Sequence, residues 1–85
     1  MSATVGKLLE EAIRDLARLA EAPREAQVLL GHILRVSRAW LAAHGEDHID
    51  PATASHFREL VLRRRAGEPV AYLVGRREFY GLDYK

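Results

Sequence analysis

The amino-acid sequence predicts a small all-α bundle of about five helices that ends in the first strand of a β-hairpin. Three observations predict it. Apolar residues recur at helical spacing through most of the chain. Prolines, glycines and capping side chains fall between those stretches. Only the final residues switch to period-two alternation. The chain has 85 residues, enough for one small domain. Ala, Leu, Arg and Glu are abundant and prolines number 3, a composition that loses little side-chain entropy in helical geometry.

In the first helix Thr4 stands as a cap, and Leu9, Ile13, Leu16 and Ala20 form one stripe at spacings of four, three and four. Leu8, Ala12 and Leu19 widen the stripe, while Glu10, Glu11, Arg14, Asp15 and Arg18 lie off its centre. Pro23 suits the first turn of a second helix, where its missing N–H is not needed. There Ala26, Leu29, Leu30, Ile33 and Leu34 make the apolar face, with Gly31 and His32 set into it. Ser37 caps a short third helix over residues 38–44, stopped by Gly45 and anchored by Trp40 and Leu41. Glu46, Asp47 and His48 form a polar loop. Asp50 and Pro51 then supply cap and first-turn proline for a fourth helix running to about Ala66, with Ala54, Phe57, Leu60 and Val61 inward. Arg63, Arg64 and Arg65 fill its last turn, where cations oppose the negative end of the helix dipole. Gly67 ends it, and Pro69 opens a further short helical turn through Val74, ended by Gly75. Beyond, Tyr80, Leu82 and Tyr84 alternate as on a strand. A lone strand lacks a ladder partner, so the chain reads as cut just past a domain boundary.

Charge and composition exclude several classes. Net charge is +1, from 13 Lys plus Arg against 12 Asp plus Glu, which gives no support to phosphate neutralisation. With no cysteine there is no disulfide framework or thiolate chemistry. The longest apolar runs, residues 39–43 and 70–74, fall far short of the roughly 20 residues of a membrane span. Residues 1–4 carry no basic-then-apolar signal pattern, so a cytoplasmic protein is expected.

No constellation resembles a catalytic centre. His44 and His48 are four apart, but Gly45 lies between them and no His-Glu-x-x-His arrangement accompanies them, so they read as exposed or capping histidines. No glycine loop follows a strand to cradle a cofactor, and none of Ser2, Ser37 and Ser55 sits in a nucleophile elbow. The one charge concentration is Arg63 to Arg65 with Arg76 and Arg77. It reads either as a surface for an anionic partner or as a solvated helix end, and composition favours the second.

Residues 64–82, Arg-Arg-Ala-Gly-Glu-Pro-Val-Ala-Tyr-Leu-Val-Gly-Arg-Arg-Glu-Phe-Tyr-Gly-Leu, carry more information. They closely resemble the junction segment of the HemK-type methyltransferases that modify peptide chain release factors, in which Arg-x-Gly-Glu-Pro, an Ala-Tyr-Leu-x-Gly turn and an Arg-Glu-Phe-aromatic-Gly-Leu strand join two domains. Residues 26–34 resemble that family's second helix more loosely, and residues 37–41 the start of its next helix, so the resemblance covers most of the chain. It implies a helical domain over residues 1–75 and the start of an inter-domain hairpin over 76–85. A Rossmann-like domain would follow, binding S-adenosylmethionine and carrying Asn-Pro-Pro-Tyr. The implied reaction methylates the side-chain amide nitrogen of the Gln in the Gly-Gly-Gln loop of class I release factors. The segment contains neither that motif nor a cofactor loop, so no catalytic, cofactor-binding or metal residue is expected in it.

What remains for the helical domain is recognition, since a second contact surface adds affinity and restricts the reaction to the intended protein. Candidate partner-contact or domain-junction residues are Arg64, Arg65, Glu68, Tyr72, Arg77, Phe79 and Tyr80, with core packing the competing role for the aromatics. The expected partners are the release factor and the protein's own methyltransferase domain, with no membrane or metal. Two alternatives stay open: a small nucleic-acid-binding module using Arg63 to Arg65, Arg76 and Arg77, and a purely structural cap on the catalytic domain.

Overall fold

A computed structural model describes residues 3–74 of the chain. The elements in order are β1 (Ala3–Thr4), α1 (Val5–Asp15), α2 (Ala22–Leu34), α3 (Arg38–Ala43), β2 (His48–Ile49), α4 (Pro51–Arg65) and α5 (Val70–Val74). The five helices match the expected all-α bundle. The expected strand near the end of the chain, and with it Arg76, Arg77, Phe79, Tyr80, Leu82 and Tyr84, lies outside the described residues.

Helix starts follow local chemistry. The side chains of Thr4, Ser37 and Asp50 each accept a hydrogen bond from the backbone N–H three residues on, at Lys7, Trp40 and Thr53. Each thereby satisfies one of the donors a helix N-terminus leaves unpaired. Pro23 and Pro51 stand in first turns, where no N–H is required. The carbonyl of Pro69 accepts from the N–H groups of Tyr72 and Leu73 and so starts α5.

Mutual packing of α1, α2 and α4 makes the core, with α3 against α2 and α5 against α2 and α4. Its large fully buried side chains are Val5, Leu8, Leu16, Leu29, Leu30, Leu41 and Phe57, and no polar or charged residue is buried among the described ones. The expected inward face of α4, Ala54, Phe57, Leu60 and Val61, is buried as a set. In α3 Leu41 is the buried anchor, while Trp40 is half-buried and stacks on His44 with ring centroids 3.8 Å apart.

Three details differ from the sequence expectation. The buried line of α1 is Val5, Leu8, Ala12 and Leu16, leaving Leu9 and Ile13 half-buried and Ala20 exposed. Helical periodicity permits either of two adjacent stripes, and contact with both α2 and α4 selects between them. Second, α1 stops at Asp15. Leu19 N–H bonds back only three residues, to Leu16 O, in the turn that lets α2 fold back over the buried Leu16. Third, His48, expected in a loop, pairs with Thr4 in a two-stranded antiparallel ladder, register Ala3 to Ile49 and Thr4 to His48. The N–H groups of Val5 and Gly6 donate to the carbonyls of Asp47 and Gly45, at 2.9 and 2.8 Å, so the first donors of α1 find partners in the α3–β2 turn. No helix among the described residues is long and apolar enough to cross a membrane.

Candidate functional site

Arg63, Arg64 and Arg65 close α4, and a Schellman turn follows them. Gly67 N–H donates to Arg64 O at 3.0 Å and Glu68 N–H to Arg63 O at 3.1 Å. Gly67 has φ of 118°, a conformation in which a Cβ is strained, so the glycine is what permits the turn. Glu68 and Pro69 then lead directly into α5.

The three arginines meet three environments. The Arg63 guanidinium donates to the Glu68 carboxylate, Nη2 to Oε1 at 2.8 Å and Nε to Oε1 at 3.1 Å. That hydrogen bonding raises its pKa above the ordinary arginine value. Arg64 reaches α2: Nε donates to Glu25 Oε1 at 2.7 Å and Nη2 to Glu25 Oε2 at 3.2 Å. Its Nη1 donates to the backbone carbonyl of Glu68 at 3.2 Å. The hydrogen bonds to Glu25 raise the Arg64 pKa against a smaller opposing effect of burial. Arg65 is exposed, and its side chain has no hydrogen-bond or ion-pair partner among the described residues.

Of the sequence-derived candidates, the turn therefore brings Arg64 and Glu68 together, leaves Arg65 open, and presents Tyr72 on α5 at 81% exposure. Tyr72 and Leu62 are the exposed large apolar side chains among the described residues, and Val70 and Val74 hold the inward face of α5. Tyr72 does not pack into the core formed by the described residues. Arg77, Phe79 and Tyr80 lie outside the described residues. Sequence reasoning missed Glu25. Its place in the first turn of α2, where a carboxylate suits the helix dipole, was a signal for stability but not for a partner 39 positions away.

His44 occupies the end of α3, with Nδ1 2.8 Å from the Trp40 carbonyl, a capping contact; His48 is exposed. Among the described residues no group of three or more His, Cys, Asp or Glu is placed to hold a metal ion. Nor do they form a cofactor cradle. The buried interior is wholly apolar, and Gly6, Gly31, Gly45 and Gly67 sit in helices and turns rather than in a strand-to-helix loop.

The family model for the PrmC N-terminal domain matches residues 7–75. The chain belongs to this family. Among relatives of this PrmC N-terminal domain, a protein from Bordetella pertussis named release factor glutamine methyltransferase is 50% identical over 73 residues, covering 85% of this chain and 27% of its own length. A protein of the same name from Moorella thermoacetica is 44% identical over 84 residues, 96% of this chain and 30% of the relative. One from Aliivibrio fischeri is 38% identical over 87 residues, 100% of this chain and 31% of the relative. The chain thus spans between a quarter and a third of the length of these three relatives. No solved structure matches it.

Proposed function

We propose that this PrmC N-terminal domain is the substrate-recognition part of a cytoplasmic, S-adenosylmethionine-dependent methyltransferase. In this reading the enzyme methylates the Gln of the Gly-Gly-Gln loop of class I release factors. The observation that carries the reading is the family match together with longer relatives named release factor glutamine methyltransferase. In this reading the helical domain spans residues 1–75, and the expected hairpin over 76–85 lies outside the described residues. The cofactor and the chemistry belong, on the same reading, to the rest of the protein. No step of methyl transfer falls to this segment.

An amide nitrogen is a poor nucleophile and must be held in line with the methyl donor. A cleft that grips only the loop carrying it gains selectivity when a second surface grips the same protein elsewhere. Arg65 and Tyr72 suit that second surface. The exposed Arg65 guanidinium, without a partner among the described residues, and the exposed Tyr72 phenol supply the charge and amphipathic area that protein interfaces favour. The nucleic-acid alternative is weakened by the same geometry, because two of the three clustered arginines are already bound to carboxylates.

Methylation of intact release factor and of a short Gly-Gly-Gln peptide, by the full-length enzyme and by one lacking residues 1–75, tests this. Recognition predicts that deletion raises KM for the intact factor and leaves peptide turnover unchanged. Loss of both activities together with loss of folded catalytic domain identifies the helices as a structural cap instead.

A further inference from the structure

Arg64 carries the same charge as its neighbours in a different setting. In the Arg64–Glu25 pair the side chains are 20% and 17% exposed, whereas Arg63–Glu68 stands at 50% and 40% and Arg58–Glu11 at 49% and 40%. Solvated pairs hold geometry weakly. A two-pronged guanidinium–carboxylate pair withdrawn from water holds it firmly, because separation strands either charge where water cannot replace its partner. This pair ties the last turn of α4 to the first turn of α2. With Nη1 on the Glu68 carbonyl, the same side chain also grips the turn leading into α5. Three pieces of backbone are thereby fixed by one planar group whose donors point in set directions.

We propose that Arg64 is a positioning residue for release-factor methylation. By binding Glu25 and the Glu68 carbonyl it sets, together with the buried Val70 and Val74, the direction in which α5 lies against α2 and α4. It thereby sets where Tyr72 and Arg65 stand relative to the rest of the methyltransferase. Arg64 acts on the partner through this geometry and not by touching it. The proposal rests on the reading of the chain as a recognition domain, and it makes Glu25, remote from the junction in sequence, equal in consequence to Arg64.

The test uses the full-length enzyme with intact release factor and with a Gly-Gly-Gln peptide, alongside thermal melts of every variant. Arg64→Ala and Glu25→Ala should each raise KM for the intact factor by roughly the same amount, on the order of tenfold, as for loss of one well-placed interaction. Peptide kcat and KM should stay within about twofold, since the peptide meets only the cleft. The double variant should be no worse than either single one, the signature of residues acting as a unit. Arg64→Lys should recover only part of the loss, because one ammonium cannot serve the carboxylate and the carbonyl together. The proposal is overturned if Arg64→Ala raises KM and Glu25→Ala does not, which marks direct contact with the partner. It is equally overturned if both variants lower Tm with KM unchanged, or if peptide and intact factor suffer alike. If deletion of residues 1–75 leaves KM for the intact factor unchanged, the recognition reading fails first. If deletion raises KM while Arg64→Ala does not, only the positioning role fails.

Discussion

At the corner between α2 and α3 the chain closes through backbone and hydrocarbon. Val36 N–H bonds to Gly31 O at 3.0 Å, Arg35 takes the left-handed conformation at φ 61°, and a Cβ on Gly31 would stand 2.8 Å from Val36 O. At the corner between α4 and α5 the closing is done by charge, with Arg64 on Glu25 and Arg63 on Glu68 around a glycine turn with nothing within 4 Å of a Cβ on Gly67. The first corner is rigid because no atom can be added. The second is held by one solvated pair, Arg63–Glu68, and by Arg64–Glu25, whose side chains are largely withdrawn from water. The exposed Tyr72 and Arg65 lie at this second corner, and in the proposed recognition role such contacts would set a surface without burying the side chains on it.

The comparison can be broken most forcefully at Gly31. Gly31→Ala improves helix propensity yet drives a methyl group into a carbonyl, and overpacking of this kind costs about 1–3 kcal/mol. Thermal unfolding should show a Tm lower by about 4–8 °C for each kcal/mol. An unchanged Tm would show that the corner can yield. The charged corner should be softer: Arg64→Ala is expected to cost roughly 1–2 kcal/mol, near the lower range for hydrogen bonds to a charged group. Arg58→Ala, which removes the exposed pair with Glu11, should cost about 0.5 kcal/mol or less. In denaturant titrations at 1 M salt, near which the screening length is about 3 Å, the Arg58 effect should vanish and much of the Arg64 effect persist.

Arg35→Gly should move stability the other way. A left-handed arginine carries a steric penalty that glycine lacks, less glycine's greater freedom when unfolded, for a net gain of about 0.5–1 kcal/mol. A fall in Tm on this change would mean that the Arg35 side chain contributes contacts outweighing its backbone. The smallest effect concerns the far end of α4 and pH. Hydrogen bonds from the Thr53 hydroxyl and amide hold the Asp50 carboxyl below its ordinary value of 3.8. A depressed carboxylate stabilises the fold fully above the unfolded pKa and loses that contribution as pH falls through the folded one. The difference in Tm between the parent chain and Asp50→Ala should therefore be constant near neutrality and shrink below about pH 4.

Much of the architecture was legible because it is written in local rules. Ser37 and Asp50 cap because a short polar side chain can reach an N–H three residues on, and Pro51 and Gly67 fix backbone angles by themselves. The inward face of α4 was legible for a related reason: Ala54, Phe57, Leu60 and Val61 admit one apolar stripe only. In α1 two neighbouring stripes compete, and the sequence favoured the one of which the structure buries only Leu16 fully. Among the candidate contact residues the sequence placed Arg64 and Arg65 side by side with equal claim. It offered nothing to separate the paired arginine from the open one.

The sequence by itself determined the five helices, most of their starts, and the family, because caps, prolines, glycines and the junction motif act within a few residues of one another. Only the tertiary structure decided which stripe of α1 faces inward, that Ala3 and Thr4 pair with His48 and Ile49, and that Arg64 rather than Arg65 belongs to Glu25. Each of those outcomes joins segments dozens of positions apart. Local propensity carries no information about such distances; they are set when the helices settle into the one arrangement that buries the apolar faces together.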